Sequence, residues 1–373
     1  MMKRFSRSGL CSGLCSAAVV GAAIALALSG VACAASSGEE AEAVGLRAET
    51  PLPARRGTVI VDGCVIDPWQ LETLGRPSTK RVVTEVVMLC LVPREDGTVG
   101  PRDPSARASL KAQVTQLQKD GYHVFFGVAF TDESGQRYDG TQTRSFLSNP
   151  AWRTRFRETL ITAAEPVEGV ELELQKLPDD ARGFVTALAS ELSQAMRPAK
   201  RLAVYVPPSV TVPSDLPGGE AFSRADLARY VDLMRVMTLD YSESRPGPTI
   251  EPGWAVDVAR LALGDFSKVD ISYPLYGTDF GPRGPRSVTY LEARALAALA
   301  GVGFERGPTG AAFLRYAAAG GEVHEVWVDD AESTARALGA WSYDVLPQSV
   351  GVVFYGLGAE DPALFERLAA RMP

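Results

Sequence analysis

The chemistry this sequence offers is concentrated in one short stretch, residues 168–175 (EGVELELQ). In an extended chain, side chains alternate, so Glu171, Glu173 and Gln175 share one face and Val170, Leu172 and Leu174 the other. The two carboxylates then stand about 7 Å apart, two residues along a strand. Inside a low-dielectric sheet such acids persist only if paired, hydrogen-bonded or protonated. Two kinds of chemistry suit the row. One is proton transfer by a carboxyl whose pKa is raised by burial and by its like-charged neighbour. The other is hydrogen bonding of a polar ligand, with the closing amide of Gln175 as both donor and acceptor. A second candidate is Asp240 beside Tyr241, at the end of another apolar run. The two histidines, His123 and His324, are far apart, no Cys-x-x-Cys pair occurs, and no metal or cofactor site is implied.

These residues need elements to hold them. After Arg56, short apolar runs alternate with amphipathic stretches. Strands are expected over 57–66, 82–92, 122–130, 168–175, 200–206, 233–241, 268–276 and 349–356. Helices are expected over 104–119, 150–164, 179–196, 224–232, 253–263, 289–300, 329–343 and 361–371, several opened by Pro and acids. Strands alternating with helices give a parallel sheet covered by helices, and eight such units suggest closure into a (β/α)8 barrel. An open doubly wound sheet is the alternative, but no glycine-rich phosphate loop follows the first strand. An antiparallel strand with one wet face could also carry the Glu/Gln row. The parallel alternation around it argues against this, because such strands are buried on both faces.

The chain has 373 residues and a net charge of −7, without a long Lys/Arg run, which argues against nucleic-acid binding. Lys3, Arg4 and Arg7 precede an uncharged, Ala-rich apolar segment ending at Ala32-Cys33-Ala34. Residues 1–34 therefore read as an export segment. A cleaved secretory signal, lipidation at Cys33 and an uncleaved anchor all stay open, and each puts the rest of the chain outside the cytoplasm. Residues 35–56 read as a flexible tether, and 57–373 as one barrel domain taken to be a monomer. Cys64 and Cys90 fall in successive strand-like runs, as two buried thiols or as a disulfide.

Five segments, in order, resemble glycoside hydrolase family 18, the chitinase-like and spore-cortex hydrolase-like barrels. Residues 168–175 resemble the family's fourth-strand D-G-x-D-x-D-x-E. Met237-Thr238-Leu239-Asp240-Tyr241 resembles its sixth-strand M-x-Y-D, and Tyr273-Pro274-Leu275-Tyr276-Gly277 its seventh-strand P-L-Y-G. His324-Glu325-Val326-Trp327 with Asp329-Asp330-Ala331-Glu332-Ser333 is similar to the penultimate segment of the spore-cortex branch, and 351–362 to its last strand. The likeness runs over about 57–371.

The resemblance implies a general acid at the last position of the fourth-strand motif and, two before it, a residue orienting the substrate N-acetyl group, which itself attacks the anomeric carbon. Here these positions are Gln175 and Glu173. An amide has no proton to transfer near neutral pH, and loss of general acid catalysis costs about 10²–10⁴ in rate. Leu239 replaces the sixth-strand Tyr, Gly127-Val128-Ala129-Phe130 the third-strand S-x-G-G, and Tyr355 the last-strand Trp. The expectation is a carbohydrate-binding relative with lost or strongly reduced hydrolysis. Its ligand would be a β-1,4 glycan containing N-acetylglucosamine, chitin or peptidoglycan. Trp69, Phe130, Tyr241, Tyr273, Tyr276 and Tyr355 would stack sugar faces beside Glu173, Gln175 and Asp240. Two alternatives stand: an active glycosidase using Glu173 or Glu171 as acid, and a barrel with a structural or protein-binding role.

Overall fold

The computed structural model describes residues 52, 54–131, 137–208, 219–262, 266–318, 320–341 and 345–373. The export segment expected over 1–34 and most of the expected tether lie outside the described residues. Eight parallel strands close a barrel: β1 (Gly57–Val61), β2 (Glu85–Pro93), β3 (His123–Ala129), β4 (Gly169–Glu173), β5 (Arg201–Val206), β6 (Leu233–Val236), β7 (Val269–Pro274) and β8 (Gly351–Tyr355). Each pairs with its successor, and β8 pairs with β1 through Gly57↔Val352, so no barrel edge is left open. All eight expected strands are present, most of them shorter than expected.

The strands are buried on both faces because they lie between two cores. Val59, Val86, Val124, Val170, Leu202, Met234, Ile271 and Val352 face outward into the layer under the helices. Ile60, Val87, Phe125, Ala203, Leu233 and Val353 fill the barrel. Helices Arg107–Lys119, Pro150–Ala163, Arg182–Met196, Arg224–Tyr230, Pro252–Ala262, Ala331–Ala340 and Leu364–Ala369 match seven of the expected ones. Three short helices, Pro68–Gly75, Pro77–Val82 and Gly140–Ser148, were not anticipated; the first and third open on Asp67 and Asp139 N-caps.

Between β7 and β8 the chain leaves the barrel rhythm. Strands Gly277–Gly281, Gly284–Val288, Glu305–Arg306, Ala312–Ala317 and Val323–Val328 form a separate antiparallel sheet. Helix Tyr290–Ala300, expected among the barrel helices, instead covers this sheet, packing Ala293 and Ala297 against Leu314 and Val326.

The lower half of the barrel holds an ionic core. The fully buried Arg235 reaches Glu171 (2.6 Å), Glu85 (2.8 Å) and Asp270 (3.4 Å). Arg201 also pairs with Glu85 (2.6 Å), and Arg56 Nε donates to Asp270 (3.0 Å). Three acids thus meet three arginines, the condition under which buried charge is tolerated. Burial raises the Glu85 carboxyl, but Arg235 and Arg201 outweigh it and hold it below the usual range. Gly351 makes room for this core, since a Cβ there would lie 2.0 Å from Asp270 Oδ1.

The expected tether boundary needs correction. Leu52 is buried and its N–H donates to the Arg371 carbonyl. Arg55 donates to the carbonyls of Leu346 and Val350, and Arg56 joins the ionic core. Ordered packing therefore begins before residue 57, held by contacts distant in sequence.

Candidate functional site

The carboxyl ends of the strands meet at one mouth of the barrel, where βα loops begin. Glu173 is the last residue of β4 and is 1% exposed. Gln175 lies just past the strand end, half-buried, and its Nε2 donates to Glu173 Oε1 at 2.7 Å. The turn then reverses at Lys176, with φ of 57°. Burial pushes the Glu173 carboxyl up to about 7, with Glu171 and Asp62 adding to the rise, while Tyr138 and Gln175 favour the charged form. Its Oε2 has no conventional hydrogen-bond partner.

Around this pair stand tyrosines. Tyr355 ends β8, with its ring 5.9 Å from Tyr205 and 6.4 Å from Tyr276. Tyr276 donates to Asp240 Oδ1 at 2.7 Å, and burial raises the Asp240 carboxyl. Asp240 is held with φ of 56°, a left-handed conformation that is uncommon outside glycine and puts local strain at the mouth. Tyr205 donates to Ser272 Oγ at 2.6 Å. Asp62, just past β1, pairs with Arg102 at 2.7 Å, and Arg102 is also tied to the Leu89 carbonyl.

The structure therefore brings Glu173, Gln175, Asp240, Tyr276 and Tyr355 together. Glu171 lies on the same inner row, one step deeper, and is taken by Arg235. Burial pushes its carboxyl up as well, partly offset by that arginine.

Four of the aromatic expectations are corrected or placed apart. Tyr273 is fully buried and packs on Trp341 in the helix layer (5.9 Å), because its neighbours Ser272 and Pro274 take the inner row. Phe130 follows the inward Ala129 and so turns outward, against Phe146 (5.8 Å) and Phe156 (5.4 Å). Tyr241 turns toward Trp254 (5.3 Å) on helix Pro252–Ala262. Trp69 is half-buried on helix Pro68–Gly75, with Arg76 over its ring at 5.4 Å. In each strand case the period of two decides: a residue one step along points to the other face.

Three mouth residues were not anticipated. Tyr205 was legible, since Ala203 and Tyr205 alternate with Leu202, Val204 and Val206. Asp62 and Tyr138 carry no such signal, because loops place them. His324 sits in the inserted sheet, where its Nδ1 lies 2.8 Å from Asp279. Among the described residues no group of three or more His, Cys, Asp or Glu is placed to hold a metal ion.

No protein-family model matches this chain, and no curated protein matches it. Solved structures share its fold. The spore cortex-lytic enzyme SleL of Bacillus cereus aligns with a TM-score of 0.73 at 17% identity, over 86% of this chain and 75% of that one. A chitinase from Chromobacterium violaceum gives 0.70 at 19% identity, over 85% and 99%. A glutamate-to-glutamine mutant of a class V chitinase from Nicotiana tobaccum, in complex with NAG4, gives 0.66 at 15% identity, over 85% and 98%. At these identities the likeness is one of fold.

Proposed function

We propose that this barrel, sharing its fold with chitinases and spore cortex-lytic enzymes, is a family 18-like glycan-binding protein of the cell envelope with lost or strongly reduced hydrolysis. The observation that carries the reading is the Gln175–Glu173 pair at the mouth. An amide stands at the motif position of the general acid, and its N–H is committed to the carboxylate beside it. An amide donates a hydrogen bond but delivers no proton to a leaving oxygen. Glu173 is one methylene longer than the aspartate of the family motif, and Leu239 lacks the hydroxyl that the resemblance assigns to an acetamido contact. The ligand we favour is a β-1,4 glycan containing N-acetylglucosamine. Tyr276 and Tyr355 offer ring faces for sugar C–H groups, with Asp240, Gln175 and Glu173 for the hydroxyls. A neighbour carrying a glutamate-to-glutamine change was captured with NAG4, which is the behaviour expected of a binding-competent site without turnover. Residues 1–34 would deliver the protein out of the cytoplasm, with Cys33 as the lipid-bearing residue if it is anchored.

One observation favours a second reading. Burial pushes the Glu173 carboxyl up to about 7, which keeps part of it protonated near neutral pH, as a general acid needs. Its burial one pleat below the mouth opposes this. Glu171 is a poorer acid, since Arg235 holds it.

Titration calorimetry with chito-oligomers and peptidoglycan fragments, run alongside a reducing-end assay, separates the readings. We expect binding without release of reducing ends, and Tyr355→Ala should weaken binding by about 3–10-fold, the loss of one ring contact. Release by the wild type that Glu173→Ala abolishes would establish the second reading. Flat titrations against every glycan would leave a structural or protein-binding role.

A further inference from the structure

Two cysteines face each other away from the glycan site. Strand β2 contains a bulge: Leu89 pairs with Gly127 and Leu91 with Val128, so two steps on β2 oppose one on β3 and Cys90 is the extra residue. Cys90 follows the inward Leu89 and so faces the layer between barrel and helices, where it is fully buried, and the bulge turns the next residue, Leu91, into that layer as well. Cys64 lies in the turn after β1 and reaches the same layer. Its Sγ donates to the Cys90 carbonyl at 2.9 Å, which brings the two cysteines side by side. Arg102 approaches from the other side, its N–H bonded to the Cys90 carbonyl and its guanidinium favouring a Cys64 thiolate. Cys90 has the opposite tendency, its thiol pushed up by Cys64 and by burial. Both are free thiols in this structure.

We propose that Cys64 and Cys90 form a thiol–disulfide exchange site, with Cys64 the entering thiolate and Cys90 the resolving thiol. The Cys64 thiolate attacks one sulfur of a low-molecular-weight disulfide such as oxidised glutathione. That S–S bond breaks and one glutathione thiolate leaves. Cys90 then gives its proton to solvent and attacks the Cys64 sulfur of the mixed disulfide, displacing the second glutathione thiolate. Two protein thiols are oxidised by two electrons and one disulfide is reduced to two thiols. Entry follows brief opening of the turn, whose flanking Asp62, Val65 and Asp67 are exposed. The product links the turn after β1 to the bulge in β2, fixing the base of the segment that carries Asp62 to the barrel mouth. Closing the chain between residues 64 and 90 also restricts the unfolded ensemble. The site stands independently of the glycan reading.

The test incubates the full chain with oxidised glutathione and maps peptides without reduction. We expect the peptide holding Cys64 to be joined to that holding Cys90, the link to be reversed by dithiothreitol, and the oxidised protein to melt several degrees higher. Cys90→Ala should hold glutathione on Cys64, and Cys64→Ser should leave Cys90 unmodified. Unlinked peptides after the wild type has equilibrated with oxidised glutathione would overturn the proposal, as would an adduct on Cys90 in the Cys64→Ser variant. If Cys90→Ala does not fold, the wild-type map alone decides.

Discussion

Glu173 shows how one buried carboxyl sets a pH dependence. Its pKa in the fold, about 7, lies above the ordinary 4.5, so the native state binds a proton that the unfolded chain has released between those values. Stability is therefore full below about pH 4.5 and falls as pH rises through about 7. The span corresponds to roughly 3 kcal/mol. Glu173→Gln removes the titration, and in urea melts it should be more stable than wild type at pH 8, with the difference shrinking toward pH 5. A wild-type advantage at pH 8 would show that the charged form is stabilised instead. At the neighbouring position, Gln175→Glu restores a carboxyl where the family motif has its acid. We expect reducing-end release to appear but to gain less than the full 10²–10⁴ worth of general acid catalysis, because Leu239 and the longer Glu173 remain. An unchanged rate in an already active enzyme would point to Glu173 as the acid.

At the scale of elements, the barrel strands carry two incompatible loads. Their outer rows supply the apolar layer under the helices, and their inner rows enclose charge. Arg235 on β6 ties acids from β2, β4 and β7 into one cluster, so it acts as a cross-brace inside the barrel. Arg235→Met leaves Glu85, Glu171 and Asp270 with one central cation fewer and should cost about 3–5 kcal/mol, read as a lower urea midpoint. Gly351→Ala tests the same layer sterically. Its Cβ would meet Asp270, and about 1–3 kcal/mol of destabilisation is expected. Wild-type midpoints in both variants would mean that the inner ion cluster contributes little to the fold.

Over the whole molecule, closure depends on the ends of the chain. Strand β1 completes the barrel by pairing with β2 and β8, and the residues just before it clamp the far end. Leu52 packs in the core and Arg55 binds carbonyls of the segment leading into β8. A chain starting at residue 57 should lose about 2–3 kcal/mol relative to one starting at 46, from lost apolar burial and hydrogen bonds. Thermal melts of the two chains provide the check, and equal melting temperatures would show that 52–56 do not support the barrel. The inserted sheet, by contrast, has its own small core and adds to the molecule without interrupting β7–β8 pairing.

The sequence by itself determined the barrel, because the repeated alternation of two-sided apolar strands and amphipathic helices has few other solutions. It also determined the inner row of Glu171, Glu173 and Gln175, since a strand's period of two is fixed by backbone geometry. The same rule, applied to Tyr273 and Phe130 with their neighbours, would have placed both outside the mouth. The inserted sheet was missed because its strands are short, at two to six residues, and lie in the stretches 277–288 and 301–328, where no element was expected. Only the tertiary structure decided that Glu171 serves Arg235 while Glu173 faces Gln175, that Tyr205 and Tyr138 join the mouth, and that Leu52 belongs to the core. Those pairings span many residues, and which buried charge finds which partner is set by how the closed barrel staggers its strands, a quantity that no local pattern encodes.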